Sequence, residues 1–455
     1  MLGEENLKGK RIGVVGLGPR TGVGVIRYLC SQGADVVAYD VKPASELIPN
    51  LESLKGLKFE LEAGTERPRS LLSASLLIVS PGVPSTQPFL RDARRAGIPV
   101  WGEVEFASRR ISAPVVAITG SNGKSTTTAL LGHILSGWRK QVFTGGNLGN
   151  PLINAVGGSY DFVVAEISSF QLETVETFRP RVALLLNVSP NHLDRHGDLS
   201  GYIAAKERLF ARMIKEDRAI FNMDDSACAE VAKRIKASIW FFSGKPNAKA
   251  DIHADRKSIH LRDGRAISLS GFKLLGEHNV ENAVAAVAAA VSVGCPADKI
   301  EKGLKTFAAL AHRLEPVATV GGIRFVNDSK STTPEATVRA IQSFDAPVIL
   351  LAGGRSKGAG YEPILAAAQG RVKEMLLYGE AADSMAQTLR LIRHRKVTDL
   401  ETAFGAALKS AEEGDVVLLS PANASFDQYR DYEERGRHFA ELVLEQKKAA
   451  GGKKK

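Results

Sequence analysis

The chain has 455 residues, 44% hydrophobic and 24% charged, which excludes collagen-like and wholly disordered chains and gives a prior of about three domains. Its net charge is +10, but five of the lysines (Lys447, Lys448, Lys453, Lys454 and Lys455) lie in a tail without acidic residues. The remaining charge, about +5, is too small to demand nucleic acid and suits anionic small-molecule substrates. Three scattered cysteines (Cys30, Cys228, Cys295) match no metal-ligand spacing and fit a reducing compartment. The acidic start, Met-Leu-Gly-Glu-Glu, lacks the basic region of an export signal, and no apolar stretch approaches the roughly 20 residues of a bilayer span. A cytoplasmic protein without a membrane span is expected.

Short β-branched runs alternate with helical stretches, a pattern that predicts βαβ units and parallel sheets. The first run starts at Arg11-Ile-Gly-Val-Val-Gly-Leu-Gly and leads into a helix to about Gln32. A strand from Asp35 to Tyr39 ends at Asp40, and another from Leu76 to Ser80 closes in the turn Pro81-Gly82. After Ser112-Ala113-Pro114 the pattern restarts with Val115 to Thr119, then strands at Phe162 to Ala165 and Val182 to Leu186, and an Ala-rich helix from about Asn279 to Val293. A third restart follows His312-Arg313, with strands near Arg324 to Asn327, Pro347 to Leu351, Glu374 to Tyr378 and Val416 to Leu419. The expected division is 1–112, 113–312 and 313–446, with a basic tail at 447–455 that frays in solvent.

Gly120-Ser-Asn-Gly-Lys-Ser-Thr126 follows a strand and precedes an apolar helix, Ala129 to Ser136, the context a phosphate-binding loop requires. Its glycines let backbone N–H groups approach phosphates, Lys124 supplies a compact cation and Ser125 a hydroxyl for Mg²⁺. The general pattern places a glycine where this chain has Ile118, so the loop is a shortened variant. Gly16, Gly18 and Gly22 give a spacing one residue longer than the dinucleotide fingerprint. A tight strand-to-helix turn explains them as well as nicotinamide binding does.

Glu166 and the segment Asn187 to His196 follow strands at the sheet edge where open α/β folds bind ligands. Glu166 and His192 can meet Ser125 around a metal, although Mg²⁺ prefers oxygen to His nitrogen. Taken singly they are an N-cap neighbour and a loop residue. Asn279 suits a helix N-cap, while Asn279 and Asn282 share a helix face that could meet a nucleotide. Asn327 to Thr332 and Ser420 to Gln428 are polar loops after strands, and Gly353-Gly354-Arg-Ser-Lys357 adds cations suited to carboxylate or phosphate.

Together these motifs resemble the Mur ligase family, ATP-dependent amide-forming enzymes of peptidoglycan synthesis. The resemblance rests on the loop Gly120 to Thr126, Ser-Ser-Phe-Gln-Leu-Glu at 168–173, His-Leu-Asp-Arg at 192–195, Gly276 to Asn282, His312-Arg313, Asn327 to Lys330 and Ser420 to Gln428. It covers the chain up to the lysine tail. It implies an α/β protein of three domains: an N-terminal Rossmann-like parallel sheet, a central P-loop ATPase-like domain and a C-terminal Rossmann-like domain. The Ser-Ser-Phe-Gln stretch and the ending Ser-Pro-Ala-x-Ala-Ser-Phe-Asp favour the branch that adds D-glutamate to UDP-N-acetylmuramoyl-L-alanine.

By the same resemblance the uridine substrate is held by Gly18, Lys42, Ser80, Pro81, Gly82 and Asn147. ATP is held by Gly120, Ser121, Asn122, Gly123, Lys124, Ser125, Thr126, Asn279, Asn282, Arg313 and Asp328. Thr332, Lys357, Ser425 and Phe426 match the amino-acid subsite. Two Mg²⁺ ions are implied on Ser125, Glu166, His192 and a CO₂-derived carbamate on Lys206; from the residues alone Lys206 is a surface helix lysine. Lys124, Lys206 and His192 are the implied catalytic set, and a monomer acting on small molecules is expected. Arg355 receives no role. The competing readings are a family member using another amino acid, a P-loop nucleotide switch with a protein partner, and a nicotinamide oxidoreductase. The phosphate loop separates the last, because a dehydrogenase has no need of it.

Overall fold

The computed structural model describes residues 6–452 except 275, 309, 357 and 359, and of residues 194, 451 and 452 only the backbone. Lys357 and Lys453 to Lys455 therefore lie outside the described residues. The chain packs into two compact units, one holding residues 1–270 and 281–305, the other 271–280 and 306–455.

The first unit contains two sheets. In the first sheet β1 (Arg11–Val15), β2 (Asp35–Asp40), β3 (Glu60–Ala63), β4 (Leu76–Val79) and β5 (Val100–Gly102) lie in the order β3-β2-β1-β4-β5, all parallel. Runs such as Leu-Leu-Ile-Val in β4 are buried throughout, as expected where both faces are covered. The second sheet has β6 (Val115–Thr119), β7 (Val142–Gly146), β8 (Phe162–Glu166), β9 (Val182–Leu185), β10 (Arg218–Asn222), β11 (Ser238–Ser243), β12 (Ile252–Ala254), β13 (Ser258–Leu261) and β14 (Ala266–Ser268). Their order is β14-β13-β12-β11-β10-β9-β6-β8-β7, parallel from β7 to β12 and antiparallel at the β12–β14 edge.

One apolar cluster joins these two sheets, running from Ile12, Val14 and Leu17 to Val163, Ala165 and Ala183. The short helix Glu103–Ser108 strengthens the joint with two buried carboxylates. Glu103 Oε1 accepts the Ile153 amide at 2.6 Å, and Glu105 accepts the amides of Glu176, Thr177 and Phe178 at 2.8 to 3.1 Å.

The second unit carries β15 (Glu315–Val320), β16 (Ile323–Asn327), β17 (Val348–Gly353), β18 (Val372–Tyr378), β19 (His394–Lys396) and β20 (Val416–Ala422) in the order β15-β16-β20-β17-β18-β19. Only the β15–β16 hairpin is antiparallel. The three-sheet α/β architecture expected from the sequence is present.

Two local expectations change. The Ala-rich helix begins at Glu277, so Asn279 sits in its first turn rather than capping it. The basic tail does not fray at Lys447: the last helix, Tyr432–Gly452, runs through Lys447, Lys448, Ala449 and Ala450, all helix-favouring residues. Among the described residues, no helix is long and apolar enough to cross a membrane.

Candidate active site

In the second sheet β9, β6 and β8 are neighbours, so whatever follows them gathers at one edge. After β6 the chain turns at Gly120, φ 154°, and enters the helix Lys124–Ser136 through Gly123, φ 82°. A side chain at Gly123 would strike Asn282 Oδ1, which also accepts from Thr127 Oγ1 at 3.3 Å. Glycine is required here by both dihedral and space. The loop is braced from the β9 side: the Ser121 amide donates to Asn187 O at 2.9 Å and the Asn122 amide to Asn187 Oδ1 at 2.8 Å. Ser125 and Thr126 are buried behind it.

Lys124 Nζ folds back onto Gly120 O (2.7 Å) and Ser121 O (2.9 Å), and Lys206 Nζ donates to that same Gly120 O at 2.9 Å. Lys206 comes from the helix Leu199–Glu207 and is 1% exposed, its ammonium 4.4 Å over the Tyr202 ring, whose hydroxyl meets Ser121 Oγ. The surface-lysine reading from the residues alone is thereby corrected. Burial, and then the neighbouring Lys124 charge, hold its pKa well below that of an ordinary lysine. Glu166, the last residue of β8, is 2% exposed and accepts from Asn147 Nδ2 at 2.6 Å. His192 caps the short helix Leu193–His196 in the left-handed region, its exposed ring 4.7 Å from Phe170.

Ser125, in the first turn of the helix after β6, and Glu166, at the end of the neighbouring β8, supply a hydroxyl and a carboxylate, a donor chemistry that fits Mg²⁺. Among the described residues no trio of His, Cys, Asp and Glu forms a metal cluster by itself. The residues fit an ion whose remaining ligands are oxygens from outside this set.

The first sheet has a comparable C-terminal edge. Gly16, φ 89°, turns β1 into its helix, and Ser80 Oγ donates to Gly16 O at 2.7 Å. Asp40 receives the Leu17 and Lys42 amides at 2.8 and 3.0 Å, so Gly18, Lys42 and Ser80 to Gly82 converge on one side of the sheet. Arg195 reaches this loop from the second sheet. Its guanidinium donates from Nε and Nη2 to Glu173 at 2.9 and 2.8 Å, collects the Pro81, Gly82 and Val83 carbonyls at 3.1 to 3.5 Å, and lies over Phe170.

In the second unit Arg313 sits between two strained residues, His312 (φ 63°) and Leu314 (φ 42°). Asp328 is buried, accepting from Ser420 Oγ at 2.8 Å and the Leu314 amide at 3.2 Å. Burial pushes it up to about 6 despite those bonds. His278 is pushed down to about 4 by burial and by Arg339 and Arg313, so its ring is neutral. Thr332 lies after β16 and buried Ser425 after β20, while Phe426 is 61% exposed. Arg355 pairs with Glu380 at 2.8 Å. Asn279 and Asn282 are both buried, the first in the second unit and the second in the first.

The Mur ligase middle domain matches residues 118–290, the Mur ligase glutamate ligase domain residues 312–423, and the Mur ligase MurD-like N-terminal domain residues 10–102. The chain is 41% identical over 444 residues to a UDP-N-acetylmuramoylalanine--D-glutamate ligase of Koribacter versatilis, covering 96% of this chain and 98% of the relative. The chain belongs to the Mur ligase family. A Geobacter metallireducens protein of the same name is 42% identical over 443 residues, again 96% of this chain and 98% of the relative. Among solved structures, UDP-N-acetylmuramate-alanine ligase MurC from Thermotoga maritima superposes with TM-score 0.62 at 20% identity, over 96% of this chain and all of that one. MurF ligase from the same organism, in complex with ADP, gives 0.62 at 17%, over 98% and 99%. These likenesses carry the fold of this Mur ligase.

Sequence reasoning assigned no role to Arg195, Glu173, Tyr202 or Asn187. Arg195 and Glu173 fall inside quoted motifs, but their partners are 22 and 112 to 114 residues away in sequence. Only folding reveals such pairs.

Proposed function

We propose that this Mur ligase joins D-glutamate to UDP-N-acetylmuramoyl-L-alanine at the expense of ATP, in the cytoplasm, during peptidoglycan precursor synthesis. The observation that carries the reading is near-full-length identity of about 40% to proteins of that activity, coupled to a glycine-shaped phosphate loop.

A carboxylate is a poor electrophile in water. An oxygen of the alanyl carboxylate attacks the γ-phosphorus of ATP, the bond to the β-phosphate oxygen breaks, and ADP leaves an acyl phosphate. The neutral amine of D-glutamate then attacks the acyl carbon, phosphate departs with the C–O bond electrons, and the nitrogen loses its proton. Positioning and charge neutralisation supply most of the acceleration in such transfers. Lys124, now on two loop carbonyls, is placed to transfer its bonds to phosphate oxygens, with the loop amides beside it. Arg313 and Asp328, with Asn279 and Asn282, serve the nucleotide; Gly18, Lys42, Ser80 to Gly82 and Asn147 serve the uridine substrate; Thr332, Ser425 and Phe426 serve the amino acid.

Ser125, Glu166, His192 and carbamylated Lys206 would hold two Mg²⁺ ions, which when bound neutralise phosphate charge. Burial and the neighbouring Lys124 charge lower the Lys206 pKa, which supports carbamylation, because only a neutral amine attacks CO₂. The resulting carbamate exchanges a cation for an oxygen ligand.

The test is phosphate release by the purified chain with Mg·ATP and UDP-N-acetylmuramoyl-L-alanine, each amino acid being added in turn. D-Glutamate alone should trigger turnover, and Lys124→Ala should lose it by about a hundredfold or more. Turnover without an amino acid, or undiminished ADP release by Lys124→Ala, contradicts the assignment.

A further inference from the structure

The second unit buries a full positive charge that makes no direct ion pair among the described residues. Arg435 is 0% exposed and bonded to no described carboxylate, Asp427 acting only from across Tyr378; its bonds go to Ser329 Oγ (3.0 Å), Ser329 O (2.9 Å) and Asn423 O (3.2 Å). Its Nη1 and the buried hydroxyl of Tyr378 lack close, well-aligned hydrogen-bond partners, and the guanidinium interacts with that hydroxyl only weakly. An arginine cannot shed its proton, so this burial is a standing cost. Its place adds to that cost. Arg435 is in the first turn of the helix Tyr432–Gly452, where the backbone dipole repels cations. Its three hydrogen bonds tie two loops together but offset only part of that cost.

Its surroundings supply a further reason to keep it. Strands β16, β20, β17 and β18 are consecutive parallel neighbours, and Arg435 lies under the C-terminal ends of all four. Ser329 follows β16, Asn423 follows β20, Gly354 follows β17, and Tyr378 ends β18. At Gly354, φ 118°, glycine lets the backbone close on Ala424 O, and the position of a Cβ there lies 3.1 Å from Arg435 Nη1, which places the guanidinium against this loop. The ends of β16 and β20 also bear Thr332 and Ser425. Crevices of this kind are where parallel sheets hold ligands.

We infer that Arg435 is a positioning residue of the amino-acid subsite, tying the 327–332 loop to the 420–425 loop and placing a permanent positive charge beneath an anionic amino acid. This rests on the D-glutamate reading and deepens it. D-Glutamate must lose its ammonium proton to become a nucleophile, and it is then a dianion. A buried guanidinium meets that charge without reorganising, whereas a lysine, without the planar fork, holds only part of the bond set.

The experiment uses the full chain with Arg435→Lys and Arg435→Gln. It measures KM for D-glutamate, Mg·ATP and the uridine substrate, thermal melting with and without D-glutamate, and trapping of the acyl phosphate by hydroxylamine in place of D-glutamate. The KM for D-glutamate should rise about tenfold in the lysine variant and about a hundredfold in the glutamine variant. The other two KM values and the hydroxamate yield should stay at wild-type levels. D-Glutamate should raise the melting temperature of the wild type and not of the glutamine variant. Equal changes in all three KM values, or a lower melting temperature with an unchanged KM for D-glutamate, would overturn the inference. If the glutamine variant does not fold, the lysine variant decides, and a wild-type KM there overturns it. Failure of the D-glutamate reading shows instead in the wild type, which would then turn over with another amino acid or none. The variants are in that case read against the amino acid it uses, and absence of a selective effect again overturns the inference.

Discussion

Each unit of this Mur ligase buries a cation at the C-terminal edge of a parallel sheet, and the two choices of residue differ. In the first unit the cation is Lys206, which shares a carbonyl with Lys124 and is driven towards its neutral form. In the second it is Arg435, fixed to Ser329 and Asn423 and unable to lose its charge. The difference separates two tasks. A lysine in a dry pocket is a nucleophile in waiting, suited to acquiring an oxygen ligand beside phosphates. An arginine in a dry pocket is a fixed field, suited to a substrate that arrives as an anion.

The largest test of this contrast is Lys206→Arg, which restores a permanent cation beside Lys124. Turnover should fall about a hundredfold or more, and ¹³C-bicarbonate should label the wild type and not the variant. Full activity in the variant would remove the distinction between the two units. Next in size is Arg195→Met, since Arg195 is a cation whose charge is already matched by Glu173. Its work is to gather three carbonyls of the 81–83 loop, so KM for the uridine substrate should rise about tenfold while KM for D-glutamate stays. Equal rises for both substrates would make it a general stabiliser.

The smallest effect concerns two carboxyl groups on one helix. Burial raises both, but Glu105 receives Thr177, the Glu176 amide and Arg109, which together hold it below the usual carboxylate range. Glu103 has a buried oxygen without a partner and is pushed up to about 7. The fold therefore favours protonated Glu103. Its contribution is complete below the unfolded value of about 4.5 and is lost as pH rises through about 7. Glu103→Gln mimics the protonated form, so urea unfolding should find it more stable than wild type at pH 8, by at most about 3 kcal/mol, the gap closing towards pH 5. Equal stabilities at pH 8 would show that Glu103 titrates like a solvated carboxylate.

Much of this was legible in one dimension. The loop Gly120 to Thr126 announces itself because a phosphate cradle needs contiguous residues. Strands such as Val115 to Thr119 are readable because both faces are buried. The Ala-rich helix was placed within two residues of its observed start, though Asn279 was misjudged as its cap. The strands Val142–Gly146, Val100–Gly102 and Ala266–Ser268 went unseen, being short or mixed in character, and so did Arg218–Asn222 and Ser238–Ser243, whose apolar runs are as plain as those that were read. Lys206 from residues alone read as a surface lysine, and Arg435 carried no signal at all, because burial belongs to the packed chain.

The sequence by itself determined the parallel α/β plan, the phosphate loop and the family, since each depends on neighbouring residues or local periodicity. Only the tertiary structure decided which charged groups are dry and which are paired. Lys206 meets Gly120 across 86 positions and Arg435 meets Ser329 across 106. The cost of a buried charge depends on everything around it, and no local pattern records that.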